Sequence, residues 1–196
     1  MNHFAHLVLS QDTVESTVGN LLGDFARGVQ IQHLPDKIRA GLENHREVDR
    51  FTDQHLLVIE LKSCFSKHRR RFSGIALDIY FDHLLIRHWP RFEQRDLDQT
   101  IANFYTHMKA GETLMPGENM RRTTRRMVQY DWFGSYRELD SVAESMDRVA
   151  ERIRFENQFH GAMEDILRHQ GTIEQNFIEF FPQLKTHVAS CAIESG

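Results

Sequence analysis

The sequence predicts an all-α fold, a single-domain bundle of about seven to nine helices spanning residues 1–196. Apolar residues recur at helical spacing through most of the chain, as at Leu57, Leu61 and Phe65, whereas alternating two-residue patterns are scarce. Only four prolines interrupt the 196 residues, which leaves room for long helices. A chain of this length buries one hydrophobic core and is short for two.

Proline and glycine bound the first long helices. Pro35 lies where the first turn of a helix tolerates proline, and "LPDKIRAGLENHREVDRFTD" then predicts a helix that runs through Asp53. Ser73 and Gly74 break the pattern before "IALDIYFDHLLIRHW", which predicts a further helix that Pro90 ends. No internal repeat or low-complexity linker divides the chain.

The second half of the chain follows the same rules. Residues 96–109 predict another helix, and residues 110–119 predict a loop. Three more helical stretches follow to the end of the sequence, with breaks near Gly134, Gly161 and Gly171.

Composition excludes several classes of protein. Apolar residues make up 40% of the chain and charged residues 27%, as in ordinary globular proteins. The net charge of −4 gives no overall attraction to nucleic acid. Cys64 and Cys191 fit neither a disulfide framework nor a paired-cysteine zinc motif, and no stretch resembles a signal peptide or a membrane span. We therefore expect a cytoplasmic protein that binds neither membrane nor nucleic acid.

The stretch "NHREVDRFTDQ" carries a histidine and two aspartates at four-residue intervals, His45, Asp49 and Asp53. A helix advances about 100° per residue, so these three side chains share one face. Asp78 and Asp82 share a face of the later helix in the same way. Carboxylates and imidazoles grouped in this way are candidate ligands for a metal ion.

The helix around Asp78 and Asp82 is apolar on nearly every side, which is typical of a buried helix. Two buried carboxylates repel each other unless a cation compensates them. A divalent metal ion would do so, because hard cations favour oxygen ligands. A structural network with Arg46 or Arg50 would do so as well, and the spacing leaves both alternatives open. Asp24, which also has apolar neighbours, is a third carboxylate that could join a metal site.

Other charged residues give weaker signals. His6 lies in the apolar stretch "FAHLVL", where a histidine is either a core residue bonded to a neighbour or a ligand. His3 and the remaining histidines have no spacing signal, and we assign them to the surface or to packing. The basic segments "KHRRR" and "RRTTRR" are either solvated helix faces or patches for an anionic partner.

Four segments, in order, resemble the signature segments of one family. "MNHFAHLVLS", "VGNLLGDFARG", "GLENHREVDRFTDQH" and "LDIYFDHLLIRHW" are similar to those of the bacterial acyl carrier protein phosphodiesterases. The resemblance implies one metal-dependent phosphohydrolase domain over residues 1–196, all-helical and HD-domain-like, with Mn²⁺ as the preferred metal and Mg²⁺ or Fe²⁺ as alternatives. It implies hydrolysis of the bond between 4'-phosphopantetheine and the serine of holo acyl carrier protein. Classical HD proteins carry an adjacent His-Asp pair, whereas this chain has only the inverted pair Asp82-His83.

The resemblance also implies roles for the matching positions. The implied metal ligands are Asp24, His45, Asp49, Asp82 and His83. Proton transfer is implied for His6 or Asp53, and the binding of a phosphoryl oxygen for Arg46. Asp78 is implied either as a further metal ligand or as a residue that orients a ligand. Substrate contacts are implied for Asn2 and Asn20.

The implied partner, holo acyl carrier protein, is acidic, so docking should use basic surface. The candidates are the two basic segments, "KHRRR" at residues 67–71 and "RRTTRR", whose four arginines are Arg121, Arg122, Arg125 and Arg126. Two alternatives to this function remain. One is an HD-like phosphohydrolase acting on a nucleotide or another small phosphoester, and the other is a non-catalytic helical protein that binds an acidic partner.

Overall fold

Helices account for the architecture of the chain. A computed structural model describes residues 1–195, which form twelve α-helices and no β-strand. The first six are α1 His3–Val8, α2 Val14–Leu22, α3 Asp36–Gln54, α4 Leu56–Leu61, α5 Ser73–Arg87 and α6 Trp89–Phe92. The last six are α7 Leu97–Ala110, α8 Glu118–Gln129, α9 Trp132–Ser135, α10 Leu139–Arg152, α11 Met163–Arg168 and α12 Gln170–Cys191. The predicted all-α class is confirmed.

The described helices divide into long and short ones. Seven have nine or more residues and five have six or fewer, so the total of twelve exceeds the seven to nine that were predicted. The helix predicted after Pro35 is confirmed as α3. Several boundaries differ from the prediction: α5 already begins at Ser73, and the break expected near Gly171 lies at His169. Pro90 lies in the first turn of α6 and does not end a helix, and Gly134 lies inside α9.

The helix α5 lies at the centre of the core. Eleven of its 15 residues are buried, and it packs against α1, α10 and α12. The ring of Phe81 lies 5.0 Å from that of Phe177 and 5.9 Å from that of Phe180, measured between centroids. An almost wholly apolar helix would expose hydrophobic side chains to water unless other helices surrounded it, so the hydrophobic effect places α5 inside the bundle.

Glycines let α2 and α3 pack in close contact. A Cβ atom on Gly19 of α2 would lie 2.8 Å from the Cα of Gly41 of α3. This close approach brings the 3-10 turn Gly23–Phe25, at the end of α2, next to α3. The helices α1, α3 and α5 and this turn carry the polar residues described below.

Among the described helices, none has both the length and the apolar character needed to cross a membrane. The cytoplasmic location stays a prediction, as does the HD-domain-like arrangement of the helices.

Candidate functional site

A cavity of about 200 Å³ opens between α1, α5 and α10. Carboxylates, an imidazole, an amide and two guanidinium groups form most of its polar lining. These groups belong to Asn2, His3, Asp24, Asp78, Arg148 and Arg152. The lining therefore offers negative charge toward a cation and positive charge toward an anion.

His6, His45 and Asp49 form a cluster next to this cavity. The rings of the two histidines are stacked, with centroids 3.7 Å apart. Asp49 contacts both rings: its Oδ1 lies 3.2 Å from Nε2 of His6, and its Oδ2 lies 3.1 Å from Nε2 of His45. The pair His45 and Asp49, which are four residues apart on α3, thus meets a histidine supplied by α1.

The hydrogen bonds of His45 fix the orientation of its ring. Nδ1 lies 2.7 Å from the backbone carbonyl oxygen of Asn20. Because a carbonyl oxygen only accepts hydrogen bonds, Nδ1 carries the hydrogen. In the neutral ring Nε2 therefore has a free lone pair. That lone pair faces a carboxylate oxygen of Asp49, so the two atoms repel each other unless a proton or a metal ion lies between them.

The ring of His6 has one nitrogen without a partner. Its Nε2 faces two acceptors, the carbonyl oxygen of Met1 at 3.1 Å and the carboxylate of Asp49, so this nitrogen carries the hydrogen. Its Nδ1 is buried and has no hydrogen-bond partner among residues 1–195. A buried polar atom without a partner is costly, and such atoms are typical of sites that bind a ligand.

His3 and Asp24 form a second histidine–aspartate contact at the cavity. Nδ1 of His3 lies 2.9 Å from Oδ2 of Asp24. The two atoms are not aligned as a hydrogen bond, and the ring nitrogen is buried. His3 was assigned to the surface or to packing from the sequence, and this assignment was wrong.

The amino group of Met1 joins the cluster to the cavity. It lies 3.1 Å from Oδ1 of Asp49 and 3.0 Å from Oδ1 of Asp78. Desolvation opposes its positive charge, but the two carboxylates outweigh this effect and raise the pKa of the amino group to about 11. A cation is therefore stable at this point between the two aspartates.

The surroundings also shift the pKa values of the acidic and imidazole groups. Desolvation disfavours the charged form of Asp49, but its contacts with His45 and His6, with a proton on the nitrogen that faces it, hold the pKa of this carboxyl well below its usual range. The charge of His3 likewise outweighs desolvation and lowers the pKa of Asp24. Burial raises the pKa of Asp78 and lowers that of His6 to about 4, so the ring of His6 is neutral near pH 7.

The spacing and chemistry of these donors fit a divalent metal ion. Two ligands about 2.1 Å from an ion and at right angles to each other are about 3 Å apart. Two imidazole–carboxylate contacts have this separation, His3 with Asp24 at 2.9 Å and His45 with Asp49 at 3.1 Å. A mixture of carboxylate oxygens and imidazole nitrogens suits manganese and iron better than magnesium, which prefers oxygen alone.

A second group of potential metal ligands lies at the surface between α3 and α12. It consists of Glu47, His187 and Cys191. Nε2 of His187 is hydrogen-bonded to Glu47 at 2.7 Å, which accounts for this contact without an ion.

Asp82 caps α1 and does not join the cluster. Its Oδ2 accepts a hydrogen bond from the backbone N–H of Phe4 at 3.0 Å, and its Oδ1 accepts one from that of Ala5 at 2.9 Å. The residue is fully buried, and this burial raises its pKa to about 7. The structure therefore corrects the ligand role expected for Asp82, because both oxygens are engaged by the first turn of the helix that carries His3 and His6.

His83 and Asn20 also lie apart from the roles expected for them. Nδ1 of His83 is bonded to the carbonyl oxygen of Tyr136 at 2.8 Å, and its ring lines a different cavity, because one step along α5 rotates the side chain by about 100°. Asn20 is buried, and its side-chain oxygen accepts a hydrogen bond from Asn44 at 3.0 Å. Its contribution to the site is the backbone carbonyl that orients His45, not a contact with substrate.

Of the remaining residues expected at the site, one lines the cavity and two do not. Asn2 lines the cavity, where its side chain donates to the hydroxyl of Tyr136 at 3.4 Å. Asp53 is exposed on α3, and its negative charge contributes to the raised pKa of Asp78. Arg46 forms an ion pair with Glu43 at 2.5 Å and does not line the cavity, which corrects its placement at the site.

Two arginines of α10 were missed by sequence reasoning. Arg148 and Arg152 line the cavity and are both exposed. Arg148 is oriented by a hydrogen bond of 2.9 Å to the hydroxyl of Ser145. Their four-residue spacing was the available signal, but this spacing is common on solvated helices and gives no information about which helix lies beside α5.

A glycine allows the ring of His45 to reach its position. Gly23 lies in the 3-10 turn after α2, and a Cβ atom there would overlap the imidazole of His45. The absence of a side chain at this position is therefore a requirement of the site.

The four arginines of α8 lie outside the cavity lining. Arg121 pairs with Glu118 at 3.0 Å, and Arg125 pairs with Glu112 at 2.6 Å and with Glu118 at 3.2 Å. Part of the positive charge of α8 is thus neutralised within the protein.

Fold and site together define an all-α protein with a histidine–aspartate cluster of the metal-binding type beside an arginine-lined cavity. The chain belongs to the acyl carrier protein phosphodiesterase family, whose model matches residues 1–184. The resemblance of the first 90 residues is confirmed and extends over most of the chain.

Individual relatives match over nearly their full length. The chain is 34% identical over 191 residues to an acyl carrier protein phosphodiesterase of Yersinia pestis, covering 94% of this chain and 95% of the relative. It is 29% identical over 195 residues to one of Salmonella agona, covering 98% of this chain and all of the relative. No solved structure matches the chain.

Proposed function

We propose that the protein hydrolyses the phosphodiester that links 4'-phosphopantetheine to the serine of holo acyl carrier protein. The products are apo acyl carrier protein and 4'-phosphopantetheine. The observation that carries the proposal is the family match over residues 1–184, and the histidine–aspartate site agrees with it. We treat residues 1–196 as one metal-dependent phosphohydrolase domain on the same basis.

The proposed metal ligands are His6, His45 and Asp49, with Asp24 and His3 as a second pair at the cavity. Support comes from the contacts of His3 with Asp24 at 2.9 Å and of His45 with Asp49 at 3.1 Å, and from the unpartnered Nδ1 of His6. When bound, a divalent ion, Mn²⁺ foremost, supplies Lewis acidity at the phosphoryl oxygens and makes a water nucleophilic near neutral pH.

Two aspartates are proposed to move protons. In the reaction, the oxygen of a water forms a bond to phosphorus, the bond from phosphorus to the serine oxygen breaks, and the serine oxygen takes up a proton. Asp78 lines the cavity and has a raised pKa, which suits the donor of that proton. Asp53, exposed one turn beyond Asp49, is proposed to accept the proton of the attacking water.

Arg148 and Arg152 are proposed to bind the non-bridging phosphoryl oxygens. A planar guanidinium makes two charge-assisted hydrogen bonds to such oxygens. This role was expected for Arg46, whose guanidinium is paired with Glu43. Asn2 is retained as a substrate contact because it lines the same cavity.

The proposed partner is holo acyl carrier protein, an acidic protein that would dock on basic surface. The arginines of α8 remain one candidate for this surface: Arg121, Arg122, Arg125 and Arg126. A second candidate surface is argued in the next subsection.

The test is the intact mass of the carrier. Metal-stripped protein is incubated with holo acyl carrier protein with and without Mn²⁺, and the small product is identified by mass spectrometry. We expect the carrier to lose the whole phosphopantetheine mass only when Mn²⁺ is present. Carrier of unchanged mass under every condition would overturn the proposal, and turnover of small phosphoesters alone would favour the small-substrate phosphohydrolase instead.

A further inference from the structure

The mouth of the cavity lies where α5 begins and α10 ends. Ile75 of α5 lines the mouth with 40% of its surface exposed, and Phe155, shortly after α10, is 51% exposed. These two side chains offer apolar contact area to a partner protein beside the charged groups of the cavity.

Arg71 is part of the same surface. Its guanidinium carbon lies 4.9 Å from the centroid of the Phe155 ring and 5.1 Å from that of Phe72, which is a cation–π arrangement. Arg71 is an exposed residue. We call Arg71, Ile75 and Phe155, together with the cavity arginines Arg148 and Arg152, the rim surface.

The chemistry of the substrate requires contact at the mouth. The phosphodiester that breaks is separated from the backbone of the carrier by only a few bonds of its serine. When phosphorus reaches the cavity, the carrier itself must therefore lie against the residues that surround the opening. The rim surface carries three arginines there, which complement an acidic partner.

The remaining basic residues of "KHRRR" and "RRTTRR" are less suited to this contact. Arg69, the neighbour of Arg70 and Arg71, is only 15% exposed and forms an ion pair of 3.1 Å with Glu164. No residue of α8 belongs to the cavity lining, and Arg125 is paired with Glu112. Arg71 and Phe155 do not line the cavity either, but they lie four and three residues along the chain from Ile75 and Arg152, which do.

We infer that the rim surface is the docking site for the acidic carrier protein, whose serine-linked phosphodiester it directs into the cavity. This inference deepens the proposed function and rests on it.

The test compares Arg71→Glu with Arg126→Glu, an equal charge reversal at an exposed position of α8. Steady-state kinetics with holo carrier and Mn²⁺ are measured at two salt concentrations. We expect Arg71→Glu to raise KM about tenfold at low salt and to leave kcat within about twofold, because a charge at the edge of an interface acts mainly on association. Arg126→Glu makes the same change on the competing candidate surface of α8, and if docking uses the rim surface it should leave both constants within about twofold of the wild-type values.

Phe155→Ser provides a second variant that leaves the charge unchanged. It should raise KM by about threefold, with kcat unchanged and little dependence on salt. A higher KM for Arg126→Glu with wild-type values for Arg71→Glu and Phe155→Ser would overturn the inference and place docking on α8. Unchanged KM for all three variants would also overturn it. Wild-type protein that leaves the carrier intact would overturn the proposed function, and this inference with it.

Discussion

At the scale of single residues, Asp49 is the point at which the site converges. Its two oxygens contact three groups, the rings of His6 and His45 and the amino group of Met1. The depressed pKa of Asp49 means that the carboxylate stays charged at every pH at which the protein would work. Such a group holds a metal ion but does not transfer protons.

Asp49→Asn should therefore remove metal binding. An amide keeps the size of the side chain but not its charge, so we expect Mn²⁺ affinity and kcat/KM on holo carrier each to fall at least about a hundredfold. Glu43→Gln, on the exposed side of α3, is the matched control and should change neither value by more than about twofold. Calorimetric titration with Mn²⁺ measures the affinity, and a wild-type affinity for Asp49→Asn would contradict the ligand role.

His6 gives a prediction about stability and pH. Its pKa is about 4 in the folded protein and about 6.5 in an unfolded chain, so the unfolded chain binds more protons between these values. The stability that His6 contributes is therefore present above pH 6.5 and is lost as the pH falls toward 4.

The comparison uses metal-free wild-type protein and His6→Gln, each unfolded by urea at pH 7 and pH 4.5. The difference in free energy of unfolding, wild type minus variant, should be smaller at pH 4.5 by about 2 kcal/mol. A difference independent of pH would show that His6 is not held neutral by burial.

At the scale of helices, the site depends on how α1 is attached to α5. Asp82 holds the first turn of α1 through the backbone amides of Phe4 and Ala5, and this turn carries His3 and His6. The carboxylate thus acts on the site through the position of a helix. It also lies at the positive end of the helix, where negative charge is favourable.

Asp82→Asn should weaken both the fold and the metal site. One amide of α1 would face an NH2 group, which leaves a buried donor without an acceptor and costs about 1–3 kcal/mol. Because the two histidines of α1 shift with it, Mn²⁺ affinity should fall by about 10–100-fold.

Asp96→Asn is the control for this prediction. Asp96 caps α7 through the N–H of Gln99 at 2.9 Å and is remote from the cavity lining. Because asparagine caps a helix about as well as aspartate, this variant should keep nearly wild-type stability and Mn²⁺ affinity, measured by thermal melting and calorimetry. Equal loss of affinity in both variants would contradict a specific role of Asp82.

The turn after α2 gives a further prediction. In Gly23→Ala the added methyl group would displace the ring of His45, so activity and Mn²⁺ affinity should fall by at least about tenfold. Gly74→Ala, where a Cβ atom meets nothing within 4 Å, should behave as wild type or be slightly more stable. Full activity of Gly23→Ala would show that the ring position in the structure is not the active one.

At the scale of the whole molecule, local periodicity predicted which side chains meet on one helix. It did not predict which residues of different helices come into contact. The pair His45 and Asp49 followed from four-residue spacing on α3, and the burial of α5 followed from its apolar residues. The contact of His3 with Asp24 joins residues 21 positions apart across α2, and no pattern along the chain predicts it. Asp82 was misread because a helix cap and a metal ligand look alike in sequence.

The position of Mn²⁺ in crystals of the protein tests this account most directly. Anomalous diffraction near the manganese edge, from crystals grown with the metal, locates the ion without assumptions about its ligands. We predict a peak bonded to Nε2 of His45 and Oδ2 of Asp49. A peak only at Glu47, His187 and Cys191, or none near Asp49, would contradict the account.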